Sequence, residues 1–167
     1  MDIIVSDRCY LSEIMVLDKE DLIHWLKDRW VYETTLQIPF PYTEEHATKF
    51  IESKRDSKYD FAIRNHAGIL IGCIGIRVGM QPHAAILGYW LAKPYWGKGI
   101  MTEVATKFAD FCFKEFSFTR LTASCFENNI GSARVLEKAG FKLEGLMIKH
   151  YKKDNVFYNG KLYGKVV

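Results

Sequence analysis

The chain has 167 residues, with 23 Lys and Arg against 20 Asp and Glu and a formal net charge of +3. That near-balance is too mild for a nucleic-acid binder, and the basic residues form no long run. Hydrophobic residues at 49% and charged residues at 26% describe an ordinary globular chain rather than a disordered one, and the length predicts a single domain over 1–167.

The predicted elements begin with a strand at Cys9–Val16. Asp18 is placed to cap a helix through Asp21-Leu22-Ile23-His24-Trp25-Leu26. A second helical stretch near Trp30–Leu36 ends before Pro39 and Pro41. Thr43 caps the next helix, in which Ala47, Phe50 and Ile51 keep the helical period. Tyr59–Asn65 reads as a strand, Asn65-His66-Ala67-Gly68 as a turn, and Ile69–Val78 and Ala84–Ala92 as apolar strands of the kind covered on both faces. Gly97 and Gly99 then break the pattern. In the long helix that follows, Met101, Val104, Ala105, Phe108, Ala109, Cys112 and Phe116 share one face. Arg120–Phe126 is a strand and Ile130–Ala139 a helix stopped by Gly140 in a left-handed cap. Phe141–Lys152 and Val156–Tyr163 close as a hairpin. This order predicts an α/β (α+β) fold, a mixed sheet with helices on both faces.

Cys9, Cys73, Cys112 and Cys125 are far apart and show neither C-x-x-C nor zinc spacing, and His24, His46, His66 and His83 have no metal-ligand spacing. Reduced thiols, a cytoplasmic setting and no metal are the expectation. Met1-Asp2-Ile3-Ile4 is too acidic and too briefly apolar for a secretory leader, and no apolar run approaches the length that crosses a bilayer.

The most informative stretch runs from Leu87-Gly88-Tyr89-Trp90-Leu91-Ala92 through Lys93-Pro94-Tyr95-Trp96-Gly97-Lys98-Gly99 into Ile100-Met101-Thr102-Glu103. A buried strand, a glycine turn and a helix follow one another there. Such a turn presents main-chain N–H groups and the positive end of a helix dipole to one point, where a phosphate fits. Glycines at 97 and 99 let the backbone approach an anion without a Cβ in the way, and Lys98 and the Thr102 hydroxyl add donors. A Walker loop is excluded because no G-x-x-x-x-G-K-[ST] occurs, and a dinucleotide fingerprint fails where Thr102 replaces its third glycine. A purely structural turn is the remaining alternative.

A second stretch, Glu127-Asn128-Asn129-Ile130-Gly131-Ser132-Ala133-Arg134-Val135-Leu136-Glu137-Lys138-Ala139-Gly140-Phe141, has the form N-x-x-S-x-x-x-L-x-K-x-G-F. With Ile38-Pro39-Phe40-Pro41-Tyr42-Thr43, the Trp96–Glu103 loop and Leu143-Glu144-Gly145, it resembles the Gcn5-related N-acetyltransferase (GNAT) superfamily, and within it the RimJ/RimL-like branch. The resemblance implies a mostly antiparallel mixed sheet and acetyl-CoA as donor. The family's loop pattern is Q/R-x-x-G-x-G/A. Here Trp96 takes the first position, Gly99 the central glycine and Met101 the final small residue, the last a departure from the pattern. The resemblance carries over main-chain groups of Gly97, Lys98, Gly99, Ile100, Met101 and Thr102 as the diphosphate cradle. It also carries over Trp90, Leu91 and Ala92, with Asn129, Ser132 and Lys138 from the later helix, as further cofactor contacts.

For the chemistry we expect a neutral amine to attack the thioester directly, giving a tetrahedral oxyanion and a thiolate. A strand N–H around Leu91 is the expected oxyanion donor, because a fixed backbone dipole needs no reorganisation. Many superfamily members supply the acid from a tyrosine seven residues after the helix-opening asparagine; here that position is Leu136, which cannot donate. The RimL-like branch uses a serine three residues after the asparagine, and Ser132 fits; its hydroxyl can equally satisfy the first turn of its own helix. Asn129 caps that helix, binds pantetheine, or does both. Where the branch carries a glutamate in its tail, this chain has Tyr151. Glu33 is therefore the first candidate base, with His150, Glu144 and water-relayed deprotonation as alternatives. Trp30, Tyr32, Phe40, Tyr42, Tyr89, Tyr151 and Tyr158 either line an acceptor pocket or belong to the core. The acceptor is a peptide N-terminus or a small amine, with a non-catalytic acetyl-CoA sensor as the alternative. No nucleic acid or membrane partner is expected, and homodimerisation is left open.

Overall fold

The computed structural model describes residues 2–167, and Met1 lies outside them. Its elements are β1 (Ile3–Ile4), β2 (Cys9–Ser12), α1 (Lys19–Leu26), α2 (Arg29–Thr34), α3 (Glu44–Lys54), β3 (Asp60–Asn65), β4 (Leu70–Val78), β5 (Ala84–Leu91), α4 (Ile100–Glu115), β6 (Arg120–Phe126), α5 (Ile130–Lys138), β7 (Lys142–Lys153) and β8 (Val156–Val166). The strands are ordered β1-β2-β3-β4-β5-β6-β8-β7. β5 and β6 run parallel, while β1/β2, β2/β3, β3/β4, β6/β8 and β7/β8 are antiparallel. This is the mixed sheet that the element order predicts, with the mostly antiparallel pairing that the resemblance implies. None of the described helices is long and apolar enough to cross a membrane.

The chain forms two compact units. The first takes in the chain up to Gly75 together with Tyr89–Ile100. Its core is built from Leu22 and Leu26 of α1, Val31 of α2, Ala47 and Ile51 of α3, and Ala62, Leu70 and Trp90 from strands. Thr43 caps α3 as expected, accepting from the His46 N–H at 3.3 Å. The second unit takes in Ile76–Gly88 and Met101–Val167. There Met101, Val104, Ala105, Phe108, Ala109 and Cys112 of α4 are all buried, as the helical period requires. Gly140 ends α5 at φ +87°, the left-handed cap read from the sequence.

Two departures share one cause. The first long strand stops at Ser12 instead of reaching Val16, and Asp18 occupies the cap position of α1 without capping it. Both residues are engaged by Arg64 of β3, whose side chain is only 4% exposed. Its Nε donates to Ser12 Oγ at 2.6 Å, Nη1 to Asp18 Oδ1 at 2.6 Å and Gly68 O at 3.2 Å, and Nη2 to Asp18 Oδ2 at 2.9 Å and Glu13 O at 3.0 Å. All five guanidinium donors are thereby satisfied. Asp18 Oδ2 also accepts from the Met15 N–H at 2.7 Å, which turns the chain out of the strand. β1 was not read from the sequence because two residues carry no periodicity; it exists through its pairing of Ile3 with Leu11 and Ile4 with Tyr10.

Removing one partner of a buried pair leaves the other charge uncompensated. Asp18→Ala is expected to lower unfolding stability by about 3–5 kcal/mol, measured by urea denaturation, whereas breaking an exposed pair such as Lys49–Glu45 should leave the midpoint almost unmoved.

Candidate functional site

The glycine loop belongs to the first unit up to Ile100, where α4 begins. β5 delivers it. The Ala92 N–H donates to Ile71 O at 2.8 Å, so the edge of β5 at Ala92 faces β4. A Cβ at Gly72 would run into the Trp90 carbonyl, which puts Trp90 on that same edge. Successive residues of a strand turn their N–H and C=O to opposite edges, so both main-chain groups of Leu91 point away from β4. The Leu91 carbonyl is taken by the Trp96 indole Nε1 at 2.6 Å. Among the expected contacts, then, the Ala92 N–H and the Leu91 carbonyl have protein partners, and the Leu91 N–H lies on the edge away from β4.

A 3-10 turn, Lys93–Tyr95, follows, closed by Tyr95 N–H to Ala92 O at 2.9 Å. Trp25 meets Tyr95 edge-on at 6.0 Å, and Asn65 Nδ2 donates to the Tyr95 hydroxyl at 3.4 Å. Trp96 meets Trp30 of α2 edge-on at 4.9 Å. These contacts set the take-off point of the loop. Gly97 and Gly99 then adopt φ +70° and +78°, the left-handed region, where a Cβ clashes with the carbonyl that follows. Nothing lies within 4 Å of a Cβ built on Gly97, and Gly99 meets only Arg8 Nη2 at 3.8 Å. Trp96, Gly97, Lys98 and Gly99 are exposed, whereas Leu91, Ala92, Ile100 and Met101 are buried. The loop thus offers main-chain groups to solvent at the positive end of α4, with room at both glycines. A phosphate fits there by charge and by space. Arg8, not singled out from the sequence, donates from Nη1 to the Lys98 carbonyl at 2.6 Å.

Glu33 lies on α2 in the same unit, exposed, with Oε1 3.0 Å from Arg29 Nε one helical turn earlier. Tyr32 packs near Phe40 at 5.7 Å, while Tyr42 is 8% exposed and belongs to the core, its hydroxyl pushed up to about 12 by burial.

The second unit holds the other candidates. Met101 and Thr102 continue α4, with the Thr102 carbonyl accepting from Thr106 Oγ1 at 2.8 Å. Asn129 caps α5 by accepting from the Ser132 N–H at 3.1 Å, and the half-buried Ser132 hydroxyl bonds the Cys125 thiol of β6. Burial raises that thiol, and the Ser132 bond pulls the other way. Leu136 is 1% exposed and part of the core, and Lys138 is exposed in the last turn. Tyr151 of β7 donates to Ser124 Oγ at 2.6 Å and, with Tyr158, packs on Phe126. Glu144 is gripped by both Nη atoms of Arg120, whose hydrogen bonds hold its carboxyl below the usual range. His150 is exposed beside Tyr151. Among the described residues no group of three His, Cys, Asp or Glu side chains is placed to hold a metal.

Comparison with known proteins places these features in context. Residues 8–142 match the family profile described as an acetyltransferase (GNAT) domain. Of the curated proteins of Bacillus subtilis (strain 168), the probable N-acetyltransferase YjcK is 39% identical over 109 residues, 62% of this chain and 59% of that protein, so the match spans less than two thirds of its length. The uncharacterized N-acetyltransferase YnaD is 32% identical over 162 residues, 96% of this chain and 94% of YnaD. Among solved structures, RimL, a ribosomal L7/L12 alpha-N-protein acetyltransferase in complex with coenzyme A, aligns over 100% of this chain and 98% of that one, with TM-score 0.89 and 19% identity, a likeness of fold.

The left-handed glycines allow a test of the loop's backbone alone. Gly97→Ala is expected to lower stability by about 1–2 kcal/mol through its positive φ, since the new methyl would touch nothing; urea unfolding reads it, and an unchanged midpoint would show that the loop tolerates another conformation.

Proposed function

The chain belongs to the GNAT acetyltransferase family, and on that premise we propose that it transfers the acetyl group of acetyl-CoA to an α-amino group, that of a peptide or protein N-terminus. The observation that carries the donor side is the exposed Trp96–Gly99 loop, whose two left-handed glycines open a path to main-chain N–H groups at the start of α4. Main-chain groups of Gly97, Lys98, Gly99, Ile100, Met101 and Thr102 hold the diphosphate. Bound acetyl-CoA supplies a thioester carbonyl that an amine attacks directly, without a covalent enzyme adduct. The Leu91 N–H, turned away from β4, donates to the charge that develops on the acetyl oxygen. Ser132, half-buried on the capped first turn of α5, gives its hydroxyl proton to the departing sulfur as the C–S bond breaks, and regains one from the ammonium that attack creates.

The acceptor follows from acid–base chemistry. Of the two carboxylates considered as bases, Glu144 is held below the usual range by the Arg120 hydrogen bonds, which weakens it as a base, and Glu33 is exposed on α2 beside Arg29. An amine that is already partly neutral suits such an enzyme. An α-amino group has a pKa of about 7.7–8.0, whereas a lysine side chain lies near 10.4. The four cysteines are buried and form no disulfide with one another, which supports work in the reducing cytoplasm.

Incubation with acetyl-CoA and a panel of N-terminal peptides, lysine-containing blocked peptides and polyamines, followed by mass spectrometry, tests the reading. Acetylation at peptide N-termini is expected, with kcat/KM rising with pH through about 7.7–8.0 and levelling above about pH 9, where the free α-amine is almost wholly neutral. Preference for polyamines or lysine would reassign the acceptor. Binding of acetyl-CoA without acetyl transfer would mark a sensor. Gly99→Asp adds a negative charge to the loop, on a Cβ directed toward Arg8 Nη2, and should weaken coenzyme A binding about 100-fold with the fold retained by circular dichroism; unchanged affinity would refute the donor site. Ser132→Ala should lower kcat about 100-fold with coenzyme A affinity kept, and an unchanged kcat would remove Ser132 as the acid.

A further inference from the structure

We infer that Arg8 is the positioning residue of the donor loop, acting through the Lys98–Gly99 peptide to aim and strengthen the Gly99 N–H. The inference rests on the reading of that loop as a diphosphate cradle and goes beyond it by giving the loop an actuator from the far end of the chain. Arg8 precedes β2 in a tight turn. Val5 and Ser6 N–H groups both donate to Cys9 O at 3.2 Å, and the Arg8 N–H donates to Ser6 Oγ at 3.2 Å. Cys9 pairs with Asn65 in the β2/β3 ladder, and Asn65 in turn bonds Tyr95, four residues before Gly99. Arg8 and the loop are therefore fastened to the same strand.

From that seat Arg8 Nη1 reaches the Lys98 carbonyl at 2.6 Å, and Nη2 lies 3.8 Å from the point a Gly99 Cβ would occupy. A peptide unit is planar and trans, so its C=O and N–H point in opposite directions. Holding the Lys98 oxygen on one side fixes the Gly99 N–H on the other. Glycines at φ +70° and +78° flank Lys98, and without the clamp this peptide has the freedom to flip. The contact is also charge-assisted. A guanidinium at the carbonyl draws electron density along the amide and makes its N–H a stronger donor to an anion. Arg8 thus improves anion binding without lying on the anion's side of the peptide.

The test uses the whole protein, titrated calorimetrically with coenzyme A, and two-dimensional amide NMR of its ligand-free form. Arg8→Met is expected to raise the Kd for coenzyme A about tenfold, the loss of one charge-assisted hydrogen bond, and to shift the Gly99 amide proton upfield before ligand is added. Arg8→Lys keeps a charge and a donor for the Lys98 carbonyl, so it should fall between the two in both measurements, and it carries the test if Arg8→Met does not fold. A Kd within about twofold of the unaltered protein, or an unmoved Gly99 resonance, would overturn the inference. Failure of the unaltered protein to bind coenzyme A is a separate outcome that refutes the donor-loop reading first and this inference with it.

Discussion

The first unit depends on a single buried cation. Arg64 places a guanidinium inside the fold, where an unmatched charge costs several kcal/mol, and the surrounding chain is arranged to meet all five of its donors. Meeting them ends β2 at Ser12, turns the chain at Asp18 and starts α1 there. α1 then holds β4 at both main-chain groups of one residue: Asp21 Oδ2 accepts from the Leu70 N–H at 3.0 Å, and Trp25 Nε1 donates to Leu70 O at 2.8 Å. Trp25 also meets Tyr95, which leads into the glycine loop. The loop's position is thus the end of a chain of directional contacts that begins with a charge needing partners.

At the glycine loop two cationic side chains, Lys98 and Arg8, stand beside the oriented peptides that open α4. The net charge of the chain is only +3. Part of the local field comes from oriented peptides at the start of α4, and oriented peptides are useful only if they stay oriented. Left-handed glycines make the required backbone geometry attainable and also leave it loose. The Trp96 indole on the Leu91 carbonyl and the Arg8 guanidinium on the Lys98 carbonyl restrain it from either side. Both restraints act on carbonyls, leaving the corresponding N–H groups directed elsewhere.

On the acid–base side, the ionisable groups are mostly arranged for stability. Glu33 faces Arg29, Glu144 faces Arg120, and Tyr163 is buried with its hydroxyl on Glu137, pushed up to about 12 by burial and that carboxylate.

Periodicity and punctuation were enough to place the helices and the long strands, because amphipathic spacing and glycine stops are local properties. α4, α5 with its Gly140 cap, β6 and the closing hairpin were all legible to within a few residues. So was the glycine loop, since a strand, a turn with Gly97 and Gly99, and a helix are consecutive in the chain. What the sequence left open involves partners far apart along it. Nothing in the sequence pairs Arg64 with Asp18, 46 residues away, and Arg8 has no visible role until Lys98, 90 residues on, is brought to it. Sequence by itself determined which segments are helix, strand and glycine turn. Only tertiary structure decided which charges are paired and which peptides are clamped, because electrostatic and hydrogen-bond partnership depends on distance in space, which residue spacing does not encode.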